Sequence, residues 1–520
     1  MTEPVPNSVP APAVPATTPG YRGRPTRRNR GNVVQSTEIP QHYGYAFIAG
    51  IILLIAYFFL ANPNRSDGFT RLLAGMVLSL SCLPMILFLF RGKIYQVPAL
   101  ESHGMFYAMS FGFAGFLPVP SVGGVGTIYE PDMDWALVFT FLGLSSLFFG
   151  YYFVGVKLFK NVRPNTDGLT ISVGKMELIA WLCCFFSISL TFLMRYATLD
   201  AFKQVRIFSF SLGFFLLLVL ALEKKISFGS RLAFFLFLLP YEILLNSGLN
   251  TGQLAGTVCL ICWISLVMLR CWRHIPVYLL VAGFLFFIVF QPVKFYVRTM
   301  VEQSGGELTT AEMLEAYGRG FFEVYGSSHD MLASSKDNFD SSFERVNHLA
   351  LFAAIIRDTP SSQPYLYGET YVPLLTKWIP RALWKGKPME TLGNSWAVKY
   401  GFLSDEDYTT SFNLPWLPEM YMNGGWVGVL LVMFILGIIY RYMWQRLMGR
   451  TTTVMSYAVG IVFAQSLVFA ESNLSMQLGG IIIFAIFLWA IAKILGFLGF
   501  FAAAPRRTRQ MRSRLAAANT

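Results

Sequence analysis

Long apolar runs separated by short polar breaks make up most of the chain, with one long polar stretch in its second half. A helix needs ~20 apolar residues to cross a bilayer core. Twelve runs meet or approach that length: 43–61, 71–90, 104–118, 135–156, 176–195, 205–222, 231–247, 252–270, 276–293, 424–444, 454–470 and 477–500. They predict an all-α polytopic membrane protein of about 12 transmembrane helices. The third run is Gly-rich and ends at Pro118 and Pro120, which suits a re-entrant segment. The seventh holds Pro240 and Glu242, breaks that are tolerated where neighbouring helices or a cavity satisfy the freed backbone.

The polar stretch, 294–423, is rich in Trp, Tyr, Phe and Leu and is therefore no linker. Glu312–Tyr325 has apolar residues at helical spacing, and so does Phe343–Arg357. Both predict amphipathic helices lying on, or dipping into, the outer interface. Asp358-Thr-Pro360 stops the second. The predicted organisation is a disordered basic cytoplasmic tail (1–41), helices 1–9 (42–293), a large periplasmic loop (294–423), helices 10–12 (424–500) and a second basic cytoplasmic tail (501–520).

Composition supports this reading. The chain has 520 residues, 54% hydrophobic and 13% charged. Soluble domains carry about 25% charged residues, so a soluble enzyme, a disordered protein and a coiled coil are excluded. Lys and Arg mark the inner loops of membrane proteins. With the N-terminus inside, Arg91, Lys93, Lys157, Lys160, Lys224, Lys225, Arg270, Arg273, Arg441 and Arg446 all fall inside, and twelve spans put both Arg-rich tails there too. The loop 196–204 is the exception, flanked by Arg195 and Arg206 on the outer side. The stretch 294–423 has 16 acidic and 11 basic residues, within a chain of net charge +12. Its basic clusters are thus local, and the tails read as orientation and lipid signals, not as nucleic-acid binders. The six cysteines sit in or beside apolar blocks and offer no disulfide framework; Cys259-x-x-Cys262 reads as helix packing.

Three strings in the polar stretch carry candidate chemistry. Arg345 and His348 share a helix face; Arg matches phosphate oxygens and His moves protons near neutral pH. Trp378-Ile-Pro-Arg381-Ala-Leu-Trp384-Lys385-Gly-Lys387 sets cations among interfacial aromatics, at the depth of a lipid phosphate. Glu419, at the mouth of the tenth span, is costly unless paired; it either pairs a loop Arg or serves as a base. For the first two strings the plain alternatives are a solvated helix face and a headgroup-contacting loop.

Together, Arg345…His348, Asp358-Thr-Pro360, Tyr367-Gly-Glu-Thr-Tyr371, Ile379-Pro-Arg381-x-Leu-Trp384-x-Gly-Lys387-Pro388 and Glu419-x-Tyr421-x-Asn423-x-Gly425 resemble the O-antigen polymerase (Wzy-like) family of oligosaccharide repeat-unit polymerases. The local resemblance covers residues 343–447 and departs from the commonest form at Lys385. It implies a metal-independent glycosyltransferase without cofactor, in the bacterial inner membrane. Its partners would be membrane lipids and undecaprenyl-pyrophosphate-linked oligosaccharides, with a chain-length regulator and a flippase as further candidates and no nucleic acid. The growing glycan would leave its pyrophosphate for a hydroxyl of the incoming unit. His348 is then the candidate base with Glu419 as substitute. Arg298, Arg345, Arg381 and Lys387 are candidate pyrophosphate contacts, and Arg195 and Arg206 candidates for the lipid entry. Three alternatives stay open: an O-antigen ligase-like enzyme, a metal-dependent polytopic glycosyltransferase using Glu130-Pro-Asp132-Met-Asp134, and a transporter or flippase for lipid-linked glycans.

Overall fold

The computed structural model describes residues 38–61, 67–117, 130–162, 171–194, 202–247, 254–303, 310–326, 347–377, 379, 384, 386–387, 392–407, 410–449, 453–468 and 470–500. Among them the fold is helical, with no strand beyond an isolated bridge between Glu38 and Lys93. Ten helices are long and apolar enough to cross a membrane. They are α1 (His42–Ala61), α2 (Gly68–Arg91), α4 (Glu130–Phe149, continuing through Leu158), α5 (Val173–Leu193), α6 (Lys203–Leu222), α7 (Phe228–Asn246), α8 (Leu254–Trp272), α9 (Val277–Gln303), α14 (Trp416–Met443) and α16 (Leu474–Phe497). The protein is thus a helical polytopic membrane protein.

Two of the twelve expected spans take another form. The third is a broken helix: α3 (Ala99–Tyr107) widens into a π turn (Ala108–Gly112) and then tightens into a 3-10 turn (Phe113–Phe116), packed along α2. The eleventh, α15 (Val454–Val468), has 15 residues. At 1.5 Å per residue it rises about 22 Å, short of the ~30 Å hydrocarbon core. The connection from α15 to α16 is buried within the protein at Ala470, Leu474 and Ser475.

The centre of the bundle is α6, whose residues Phe208–Ala221 are almost all buried, as expected of a helix that is apolar all round. It packs on α5, α15 and α16. A second layer joins α2, α3, α4 and α14. α4 and α14 approach closely at glycines, because small residues let membrane helices meet backbone to backbone: a Cβ at Gly437 would run into the Leu147 carbonyl, and one at Gly150 into that of Phe434.

The polar stretch supplies α10 (Thr310–Gly326), α11 (His348–Asp358), α12 (Val372–Thr376) and α13 (Leu392–Lys399). The expected amphipathic helix over Glu312–Tyr325 is α10, which packs on α9. Its companion departs from expectation. Within the described residues α11 starts at His348, and it is inserted between α4 and α14 instead of lying on the surface. Its middle, Leu349–Ile355, is apolar on every face and buried, so no polar face remains to lie in water.

Several expected boundaries also shift. Residues 38–41 of the predicted disordered tail are folded: Ile39 is buried against Phe88, Leu89, Ile94 and Leu269. α9 runs through the 293/294 boundary without a break. α14 begins eight residues before 424, but Gly424 and Gly425 are non-helical. There the chain reverses: a Cβ on Gly428 would lie 2.6 Å from the Met420 carbonyl, and Leu417 and Val429 both reach Gly143. In a straight helix residues 420 and 428 would stand about 12 Å apart. Residues 416–423 are therefore a short buried helix tucked against 426–443. Gly425 has φ +59°, which favours glycine.

Gly437→Val is expected to lower the thermal midpoint of the purified protein, at a cost of about 1–3 kcal/mol for overpacking. Gly174→Ala, where an added Cβ meets nothing within 4 Å, should leave it unchanged or raised. A thermal unfolding series in detergent checks both.

Candidate functional site

His348 is the first residue of α11. Asn347 caps that helix, its side-chain oxygen accepting from the Ala350 N–H at 3.2 Å. The cap satisfies one of the donors that every helix start leaves open. It fixes His348 at the entry of a buried helix, with its ring beside Phe106 and Phe111 of the broken third helix.

Glu419 sits on the tucked segment before the reversal, and it is 0% exposed. Its Oε2 accepts from the Leu474 N–H at 2.6 Å. Leu474 opens α16, and Asn473, the residue at that helix's own cap position, makes no side-chain cap. The side-chain oxygen thus caps the buried helix start from another element. The other oxygen, Oε1, accepts no hydrogen bond among the described residues.

His348 and Glu419, far apart in the sequence, meet the same short segment. Three residues before Leu474 stands Glu471, whose Oε1 lies 3.9 Å from His348 Nε2 and accepts from Asn413 Nδ2 at 2.8 Å. The His–Glu distance exceeds that of a hydrogen bond but lies within ion-pair reach of a protonated imidazole. The segment 471–474 thus carries one carboxylate beside the histidine and one N–H on the buried glutamate.

A second set of bonds fixes this arrangement. The turn Tyr367-Gly368-Glu369-Thr370-Tyr371 is held to the end of the tucked helix. Leu366 N–H donates to the Met422 carbonyl at 2.9 Å and Tyr367 N–H to that of Asn423 at 3.0 Å. Asn423 Oδ1 accepts from Gly368 N–H at 2.8 Å, while its Nδ2 donates to Thr370 Oγ1 at 2.8 Å and to the Glu419 carbonyl at 2.7 Å. Gly368 takes φ +94°, open to glycine at no steric cost. Two strings of the family resemblance are therefore joined in space. Burial, with Glu419 close by, pushes the Tyr371 hydroxyl above its usual range.

Of the remaining expected site residues, the three that are described, Arg298, Arg206 and Lys387, stand on different segments. Arg345, Arg381 and Arg195 lie outside the described residues. Arg298 belongs to α9 and faces Tyr317 of α10; α9 packs chiefly on α8 and α10, away from His348. Arg206, in the first turn of α6, donates to Thr191 Oγ1 of α5 at 3.1 Å and stands within Coulomb range of Glu242. Lys387 donates to the carbonyls of Lys377 and Ile379 at 3.1 and 3.2 Å. Two of its three donors thus tie its own loop together, leaving little for a pyrophosphate. Glu419 pairs a backbone N–H, not the expected loop Arg.

Two further expectations change. Glu130-Pro-Asp132-Met-Asp134 is the first turn of α4, not a loop, and Asp134 Oδ1 accepts from Thr70 Oγ1 at 2.6 Å. Acidic residues in a first turn suit the helix dipole. Cys259 and Cys262 lie exposed on α8, not packed inside. Among the described residues no three His, Cys, Asp or Glu side chains gather to hold a metal ion. Sequence reasoning missed Glu471 and Asn413. The sign was there: Glu471-Ser-Asn473 is a charged break between the last two apolar runs.

The bundle defines a helical polytopic membrane protein, with a polar cluster of His348, Glu419 and Glu471 inside it. The model of a family described as a domain of unknown function, DUF8712, matches residues 144–470, and the chain belongs to that family. The match includes His348 and Glu419 and ends one residue before Glu471. No curated protein and no solved structure matches the chain.

Glu419→Ala should destabilise the protein by about 1–3 kcal/mol for the Leu474 N–H left without its acceptor, plus the cost of the cavity. Glu419→Gln, whose amide oxygen still accepts, should keep most of the stability. Thermal midpoints of the two variants against wild type decide this; equal losses would mean that the cap has no structural weight.

Proposed function

We propose that the protein is a glycosyltransferase that lengthens a polysaccharide by joining lipid-pyrophosphate-linked oligosaccharide units, in the manner of the O-antigen polymerases it resembles. The observation that supports this reading is the convergence of His348, Glu471 and Glu419 at the buried start of α16. In this reading twelve membrane crossings, with α3 and α15 among them, leave both termini in the cytoplasm of a bacterium and the cluster on the periplasmic side.

The chemistry asks for a base and a stabilised leaving group. The acceptor hydroxyl attacks the anomeric carbon of the growing chain. The bond from that carbon to the pyrophosphate oxygen breaks, and the lipid pyrophosphate leaves with the electron pair. His348 takes the hydroxyl proton, and Glu471, 3.9 Å from Nε2, stabilises the imidazolium that forms. Glu419 becomes a positioning residue, since its oxygen is committed to Leu474 N–H. Arg345, three residues before His348 in the chain, and Arg381 carry the leaving-group charge in this reading.

The test is the size ladder of surface or secreted polysaccharide in a deletion strain, complemented at matched membrane levels. Wild type should restore long chains. His348→Ala and Arg381→Ala should leave mostly single repeat units, and Glu471→Gln should shorten the ladder; loss of the base in His348→Ala removes a rate contribution of roughly 10²–10⁴-fold. Long chains that form in the deletion strain but fail to reach their carrier would replace polymerisation with ligation or transport.

A further inference from the structure

Arg71 is a cation in an unexpected place. It lies in the first turn of α2, where the helix dipole is positive and disfavours cations. Among the described residues no carboxylate pairs with it. Its Nε is buried without a hydrogen-bond partner. Asp67, one turn earlier at the cap of α2, accepts from Gly68 N–H, and Asp134 of α4 accepts from Thr70 Oγ1. The guanidinium rests 5.8 Å from the centre of the Phe59 ring.

Phe59 is also a wall of a groove. Between α1 and α2, and closed by α4, runs an open apolar trough of about 610 Å³ lined by Ile55, Phe59, Leu72, Met76, Leu83 and Phe141. It extends along α2 from Leu72 to Leu83, about 17 Å at the helical rise. Both helices span the membrane by length and composition, so the trough lies at acyl-chain depth and its Arg71 end at headgroup depth. Gly75 lies on its lining beside Phe59 and Phe116.

We infer that this groove is a binding site for one anionic phospholipid, an acyl chain lying along α1 and α2 and the phosphate on Arg71. The apolar trough fits the chain and not the headgroup. The unpaired guanidinium fits a net negative phosphate diester, which would supply both the missing hydrogen-bond acceptor and the anion that the helix start favours. The inference rests on the membrane fold and not on the proposed glycosyl transfer.

Native mass spectrometry of the full-length protein, titrated with phosphatidylglycerol or phosphatidylcholine from mixed micelles, tests it. Wild type should retain one phosphatidylglycerol in preference to phosphatidylcholine. Arg71→Gln should lower that occupancy about fivefold, equivalent to about 1 kcal/mol for one basic residue at the interface. Ser79→Phe, at an exposed position of the trough wall, should abolish retention of both lipids without altering Arg71. It keeps the proposal testable if the Arg71 variant folds poorly. Unchanged occupancy in the two variants would overturn the site. So would a co-purified polyprenyl phosphate occupying it in place of the phospholipid.

Discussion

Below a membrane surface the protein must satisfy its own backbone, because no water stands ready to do so. That constraint bears hardest on the start of α16. Leu474 and Ser475, its first two residues, are buried inside the protein, away from any solvent that could accept from their N–H groups. Glu419 answers the first of them with a carboxylate carried on a tucked helix from another part of the chain. Holding that carboxylate in place requires the reversal at Gly424–Gly425, the Asn423 clasp on residues 366–370, and the close packing of α14 on α4. The cluster of His348 and Glu471 is built on this frame.

The division of labour among the acidic groups follows from the same geometry. A fully buried carboxylate whose oxygen caps a helix is suited to holding structure. A partly accessible one beside an imidazole is suited to stabilising a charge that appears during a reaction. Glu419 and Glu471 take these two situations within a few residues of one helix start. His348 lies between the broken third helix and the polar segment, and only the folding of α11 into the bundle brings it there.

The membrane-spanning pattern was legible because apolar blocks of bilayer length announce themselves. α10 was legible by its periodicity. The burial of α11 was written in the unbroken apolar run Leu349–Ile355, but a periodic face on either side of it pointed to the interface instead. Glu419 could be marked as costly from the sequence, whereas its partner, a backbone N–H 55 residues later, could not, since no local pattern encodes a cap supplied from another helix. Glu471 was overlooked because a single acid in a six-residue break resembles any polar turn. Lys387 and Arg206 were read from charge alone, and the bonds they make to carbonyls and a hydroxyl depend on tertiary neighbours.

The account stands on His348 and Glu471 working as one unit. A double-mutant cycle tests this most directly, with His348→Gln, Glu471→Gln and the double variant compared at matched membrane levels for polymer length and thermal midpoint. Coupled neighbours show interaction energies of about 0.5–3 kcal/mol, so the double variant should be scarcely worse than His348→Gln by itself. Strictly additive losses in both readouts would contradict the pairing and leave the histidine without its carboxylate.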